Sequence, residues 1–199
     1  MKKTSRQLQK EHTKELLLKT AYEVFSERGI MNTRMSDIAQ AGGVSHGTMF
    51  VHFQTQEALI EEVVDTYAQK IALRTHELAQ SCESVEAILR AHLSGIMEFE
   101  PFYRRLVIES PLLPTGARDC MVMIQSAVSL HFSMAMQCRE KTAEEGDVPV
   151  SILFNMWIGL IHYCLVNNDL FAPDGHVIER WGETLLQNFL KLLPKAALS

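Results

Sequence analysis

The chain has 199 residues, 47% of them hydrophobic, which excludes a disordered protein and is enough to bury a substantial core. Its net charge of −5 argues against a protein that coats nucleic acid with its whole surface. The charge is uneven, because residues 1–55 hold eight Lys/Arg and five Asp/Glu, whereas residues 56–199 hold eleven and nineteen. Only the first quarter of the chain suits a polyanionic partner.

Residues 6–28 predict the first helix, because apolar side chains recur there at helical spacing and Gly29 provides a stop. The charged residues that precede this helix are not followed by an apolar segment of signal-peptide length. We therefore expect a cytoplasmic protein.

Two short helices joined by a glycine turn are predicted next. A helical pattern begins after Thr33, which can cap it, and ends at Gly42 and Gly43, which accept positive φ. Ser45 can cap the following helix, which begins at His46. This is the arrangement by which a protein presents a helix to the major groove of DNA.

The same region resembles the DNA-binding part of the TetR-type one-component transcriptional repressors. The matching positions are Phe25, Gly29, Thr33, Met35, Ile38, Ala39, Gly43, Val44, Ser45, Gly47, Thr48, His52, Phe53, Glu57 and Leu59. The chain departs from the usual pattern with Gly42 in place of alanine, Phe50 in place of tyrosine and Gln56 in place of lysine. The resemblance implies that positions 50 and 56 contact phosphates.

Side chains on the second helix of this pair are expected to contact DNA. If Val44, Met49 and Phe53 pack inward, the opposite face of the helix points outward, where its side chains can reach phosphates or base edges. The predicted DNA-binding residues are Arg34, Ser45, His46, Thr48, Phe50, Val51, His52 and Gln56.

The rest of the chain also predicts helices, near residues 56–80, 84–98, 100–110, 117–142, 148–168 and 175–193. Sustained alternation typical of strands is absent from the sequence, so the predicted fold class is all-α. We expect a helix-turn-helix DNA-binding domain in residues 1–55 and a larger helical domain for ligand binding and dimerization in residues 56–199.

The last two predicted helices are apolar on more than one face, which indicates a second covering surface besides the domain's own core. A second copy of the chain is the simplest partner, and the resemblance implies the same for the final two helices. The predicted interface residues are Leu153, Leu160, Ile178, Trp181, Leu185 and Phe189; the alternative is that all of them lie in the monomer core. Pro149, Asn155 and His162 interrupt the apolar stretch 148–166, so we expect no membrane span.

The resemblance implies a small-molecule effector, and the methionine and aromatic residues of the larger domain suit an apolar ligand. The predicted ligand-binding residues are Met97, Phe102, Met121, Met134, Phe154, Trp157 and His162; the alternative is an ordinary packed core. His131 and His162 are the candidate polar contacts.

Motifs of nucleophilic catalysis, phosphate binding and metal ligation are missing from the sequence, so we expect no catalytic residues, metal site or cofactor. Cys82, Cys120, Cys138 and Cys164 form no C-x-x-C pair, which favours free thiols. The predicted function is a homodimeric repressor that binds a palindromic operator in double-stranded DNA and is released by a small, apolar ligand. Phe50 and Gln56 motivate an alternative, a helical ligand-binding or scaffold protein with weakened DNA binding; a small α-helical enzyme is a distant third.

Overall fold

The computed structural model describes residues 4–140 and 148–194; for residues 137–140 it describes the backbone alone. This part of the chain contains helices and no strands, which confirms the predicted all-α class. The helices are α1 (Ser5–Arg28), α2 (Met35–Ala41), α3 (His46–His52), α4 (Gln56–Ala79), α5 (Val85–Met97), α6 (Glu100–Glu109), α7 (Thr115–Glu140), α8 (Val150–Val166), α9 (Asn168–Phe171) and α10 (Val177–Leu190), with a short 3-10 helix at Ser110–Leu112.

Two details of the predicted helix-turn-helix were wrong. Arg34, not Thr33, occupies the N-cap of α2; its backbone N–H donates to Asp37, while the Thr33 hydroxyl donates to the Gly29 carbonyl at 2.6 Å. Of the two glycines in the turn, Gly42 has a φ of −81°, and Gly43, with a φ of +64°, uses the left-handed region.

The later helices lie within a few residues of their predicted ranges, except that α9 was not predicted. The predicted break at Glu145–Gly146 lies outside the described residues. Of the four cysteines, Cys82, Cys120 and Cys164 are free thiols, and the side chain of Cys138 is among those not described.

Helices α1, α2 and α3 form a compact N-terminal unit. Met49 and Phe53, one helical turn apart, are fully buried and hold α3 against the other two helices, whose Leu17 and Ile38 are also fully buried. Because these four side chains face inward, the opposite face of α3 is left toward solvent.

Helix α4 connects this unit to the rest of the molecule. It begins four residues after α3 ends and packs along both α5 and α7, so that the N-terminal unit and the C-terminal helices share one continuous hydrophobic core. A stacked pair of rings from α1 and α4, Tyr22 and Tyr67, lies at the junction with centroids 3.8 Å apart.

Helix α6 joins the two ends of the fold through a buried carboxylate at each terminus. Glu100 accepts hydrogen bonds from the backbone N–H groups of Val177 and Ile178, at the start of α10. Glu109 accepts from the N–H groups of Ile30 and Met31, in the loop between α1 and α2. One helix therefore supplies the acceptors for the otherwise unsatisfied N–H donors of these two segments.

Within residues 4–140 and 148–194, none of the helices combines the length and apolar composition that crossing a bilayer requires. Helix α8, the most apolar of them, buries Leu153, Trp157, Ile161 and Leu165 in the core. It is a packed helix with one outer face.

Candidate functional site

Helix α3 is capped at its start by Ser45 and packs inward through Met49 and Phe53. The Ser45 hydroxyl accepts a hydrogen bond from the backbone N–H of Thr48 at 3.1 Å, and the two hydroxyl groups lie 2.9 Å apart. Because its hydroxyl is already paired with that of Ser45, Thr48 contributes to the cap as well as to the outer surface.

The outer face of α3 exposes apolar and aromatic side chains. Val51 is 66% exposed and Phe50 is 44% exposed, and the rings of His46 and Phe50 meet edge to face at 4.8 Å. A monomer obtains no stability from leaving such side chains in water, so this face is suited to contact a partner. Arg34, at the start of α2, is also exposed.

His52 and Gln56 do not point freely outward, whereas the sequence predicted that both would. His52 is half-buried, and its Nδ1 atom has no hydrogen-bond partner among the described residues; burial lowers its pKa, and Lys10 and Lys14 lower it further. The Gln56 amide accepts from the backbone N–H of Met35 and donates to the carbonyl of Thr33 at 2.7 Å. Gln56 therefore bonds the start of α4 to the start of α2, whereas the resemblance predicted a phosphate contact at this position.

A buried histidine that the sequence analysis missed lies between α5 and α8. The indole N–H of Trp157 donates to Nδ1 of His92 at 3.0 Å. Because an indole can only donate, Nδ1 is the unprotonated nitrogen and the neutral ring carries its hydrogen on Nε2. That Nε2 atom is buried without a partner among the described residues, and burial, together with His162, lowers the pKa of His92 to about 3.

A second buried pair lies beside the first. The Tyr103 hydroxyl and Nε2 of His162 are 2.9 Å apart, and burial lowers the pKa of His162 to about 4. Burial also raises the pKa of Tyr103 well above its usual value. Both histidines are therefore neutral near pH 7, and the interior offers polar groups without a fixed charge.

The N-terminal region matches a known family. Residues 17–63 match the family model described as "Bacterial regulatory proteins, tetR family", and this range contains α2, α3 and the start of α4. Residues 17–63 thus match the DNA-binding region of the TetR family. This family is one of non-enzymatic transcriptional regulators, in agreement with the prediction that the chain is not an enzyme.

Individual relatives agree with this assignment. The uncharacterized HTH-type transcriptional regulator YvdT of Bacillus subtilis is 28% identical over 120 residues, which are 60% of this chain and 55% of YvdT. The HTH-type transcriptional repressor KstR2 of Rhodococcus jostii is 31% identical over 75 residues, 38% of this chain and 37% of KstR2. The chain thus matches about half of the length of these curated relatives, or less.

A solved structure shows that the likeness in fold extends over nearly the whole chain. The transcriptional regulator FadR from Bacillus subtilis, in complex with stearoyl-CoA, superposes with a TM-score of 0.71 over 90% of this chain and 99% of FadR. The sequence identity is 15%, so the comparison shows a shared fold.

The structure separates the ligand-binding residues predicted from the TetR resemblance into three groups. Met97 and Met134 are exposed and cannot line an interior site, because their side chains lie on the outer faces of α5 and α7. Phe102 is buried but packs against Tyr22 and Tyr67, toward α1. The remaining predicted residues face the interior of the larger domain: Met121, Phe154, Trp157 and His162.

The predicted dimer residues also require correction. Leu153, Ile178 and Phe189 are almost completely buried in the subunit's own core, so they have no surface left for a partner. Leu160, Trp181 and Leu185 are half-buried. The exposed apolar stripe of α8 lies one position away from the predicted one and contains Ile152, Met156, Gly159, Tyr163 and Val166.

Proposed function

We propose that this chain is a homodimeric DNA-binding transcriptional regulator of the cytoplasm, a TetR-family repressor that a small, largely apolar molecule releases from a palindromic operator. The observation that carries the proposal is the exposed face of α3. A seven-residue helix capped by Ser45 and anchored by Met49 and Phe53 presents Phe50 and Val51 to solvent. A helix held in this way can enter a major groove about 12 Å wide.

The contacts available on α3 indicate how sequence would be recognised. Val51 offers an apolar surface that fits a thymine methyl group, and His46 can bond either a phosphate or a base edge. Arg34 supplies an exposed positive charge for the backbone, and residues 1–55 as a whole carry an excess of Lys/Arg.

Dimer formation is supported by the apolar stripe on α8. Its members are spaced by four, three, four and three residues, which keeps them on one side of the helix. Two copies related by a twofold axis bring the same stripe of each subunit together and can place two α3 helices on successive half-sites of one face of the DNA, about 34–36 Å apart.

Ligand binding is supported by the neutral polar groups inside the larger domain. His92 presents a buried, unpaired Nε2–H, and Tyr103 and His162 lie nearby among apolar side chains. An uncharged acceptor group on an otherwise apolar molecule would satisfy this donor, whereas an orphaned buried donor costs about 1–3 kcal/mol. The FadR structure, with stearoyl-CoA bound, is an example of this fold with a ligand that contains a long apolar segment.

Coupling between ligand and DNA is supported by α6, whose two ends bond to α10 and to the α1–α2 loop. The Arg105 guanidinium adds a bond to the carbonyl of Glu27 at the end of α1, at 2.8 Å. A ligand that favours another placement of α6 would therefore also change the placement of α3.

Selection of bound sequences from a random double-stranded DNA pool tests the proposal and does not require a known operator. We expect a palindromic site to emerge, and Val51→Ala to weaken its binding by about 1–3 kcal/mol in a gel-shift assay. Leu170→Ala, an equally exposed apolar position on α9, serves as the control and should bind like the wild type. If selection yields no preferred sequence, the alternative of a ligand-binding or scaffold protein with weakened DNA binding replaces this proposal.

A further inference from the structure

Two histidines from different helices meet on the surface of the larger domain. His76 is an exposed residue of α4 and His131 is a half-buried residue of α7. Nε2 of His131 lies 3.0 Å from Nδ1 of His76, and the ring centroids are 5.0 Å apart. The pair is thus accessible to solvent while its two nitrogens already face each other.

The backbone that carries these rings is firmly held. The neighbours of the two histidines in sequence, Thr75 on α4 and Phe132 on α7, are both fully buried, and the two helices pack along each other. The separation of the imidazoles is therefore set by the core beneath them and requires no ordering of a loop.

We propose that His76 and His131 form a binding site for a divalent transition-metal ion of the class that imidazole prefers, namely Cu²⁺, Ni²⁺ or Zn²⁺. Two imidazole nitrogens that each lie about 2.0–2.1 Å from a metal, at an angle of about 90–110°, are about 2.9–3.4 Å apart. The observed 3.0 Å is within this range, so the two nitrogens are already spaced to bind one ion once both rings turn their lone pairs toward it.

The chemistry of the pair permits a metal ion to replace the hydrogen bond between the two rings. In the metal-free pair, one nitrogen donates its hydrogen to the other, so only one of the two facing nitrogens has a free lone pair. Metal binding requires the donating ring to carry its hydrogen on its other nitrogen, a change of tautomer that releases no net proton from a neutral pair.

The site provides two protein ligands. Groups of three or more His, Cys, Asp or Glu side chains that could hold a metal are absent from the described part of the chain, so water completes the coordination sphere. Affinity should then follow the general order for nitrogen ligands, with Cu²⁺ bound more tightly than Ni²⁺ or Zn²⁺. No metal-ligation motif contains this pair, since the two histidines are 55 residues apart and meet only through the packing of α4 on α7.

A bound ion would link α4 to α7, and α4 begins four residues after α3 ends. If the proposed function is correct, the ion therefore favours the placement of α3 seen here and changes operator affinity. Metal binding itself does not depend on that function.

Calorimetric titration of untagged, EDTA-treated protein with CuCl₂ tests the site, followed by NiCl₂ and ZnCl₂ and by thermal melts with and without each metal. We expect one ion per chain and a higher melting temperature with metal. His76→Ala and His131→Ala should each weaken Cu²⁺ binding by about a hundredfold, because each removes the chelating partner of the other ring. Both positions border solvent, so circular dichroism should show wild-type folding.

His12→Ala removes an exposed histidine of α1 and is the matched control, which should bind Cu²⁺ like the wild type. Equal Cu²⁺ affinity in the wild type and the His76 and His131 variants overturns the proposal, as does a wild type that takes up no metal. Loss of metal binding in these variants with no metal effect on operator binding in the wild type would support the site and reject only its link to regulation.

Discussion

Gly29 and Glu109 approach each other so closely that a Cβ atom on Gly29 would lie 2.8 Å from Oε1 of the Glu109 carboxylate. Gly29 also has a φ of +94°, in the region that glycine alone adopts readily. The contact allows Glu109 to reach the N–H groups of Ile30 and Met31, at 3.1 and 2.7 Å. One glycine thus makes possible the bond between α6 and the DNA-binding unit.

Gly29→Ala should lower the free energy of unfolding by about 1–3 kcal/mol, because it adds backbone strain and a steric clash at the same position. Urea denaturation followed by circular dichroism measures the change. Gly47→Ala is the matched control, since the nearest side-chain atom to its Cβ would be 3.8 Å away and its φ is not positive. An alanine at position 29 that leaves stability unchanged would show that this loop can move away from Glu109 without cost.

Gln56→Lys should destabilise the N-terminal unit without strengthening its attraction to DNA. The resemblance to the TetR family suggests that a lysine here adds a phosphate contact, but the amide of Gln56 bonds both Met35 and Thr33. A lysine cannot accept from the Met35 N–H, and leaving that donor unpaired costs about 1–3 kcal/mol.

The salt dependence of operator binding separates these two roles. A lysine that reaches the phosphates in both subunits would steepen the slope of log K against log salt by up to about two units. We expect an unchanged slope and a lower melting temperature. A steeper slope at wild-type stability would mean that the side chain at position 56 turns toward DNA in the complex.

The parts of this fold that sequence could predict depend on local signals. Ser45, Met49 and Phe53 identify a capped helix with an inner face within nine residues, and the structure shows that arrangement. Contacts between distant segments have no such signal: Glu109 and Met31 are 78 residues apart, and His92 and Trp157 are 65 apart. Their positions depend on how whole helices pack.

Helical periodicity also leaves the direction of an apolar helix undetermined. Helix α8 carries apolar side chains all round, so spacing alone could not decide whether Leu153 or Ile152 faces the core. The structure buries Leu153 and exposes Ile152. For this reason the predicted interface includes the buried Leu153 and not the exposed Ile152, while Leu160, on the border between the two faces, is half-buried.

Met156→Glu should convert the proposed dimer into monomers without unfolding the subunit. Met156 is 47% exposed at the middle of the α8 stripe, so a charge there is solvated in the monomer and buried without a partner in a symmetric interface. Sedimentation velocity measures the change. Val122→Glu, an exposed apolar position on α7, is the control and should leave the oligomeric state as in the wild type. A stable dimer of the Met156 variant would place the interface elsewhere.

Acid should destabilise the protein through its buried histidines. Burial holds the pKa of His162 near 4, below the value of 6.5 for a histidine exposed to water. Between these two values the unfolded chain binds a proton that the folded chain does not, so the free energy of unfolding falls as the pH drops from about 6.5 to 4 and then levels off for this group. The shift corresponds to about 3 kcal/mol for His162, and His92 contributes in the same direction.

Urea denaturation at a series of pH values measures this dependence, and His162→Gln should reduce it. Glutamine does not titrate but can still bond the Tyr103 hydroxyl, so the difference between the two profiles isolates His162. His12→Gln, at an exposed position on α1, controls for the loss of a histidine and should follow the wild-type profile. If the His162 variant loses stability between pH 6.5 and 4 as steeply as the wild type, the ring of His162 is hydrated in solution and its burial does not oppose protonation.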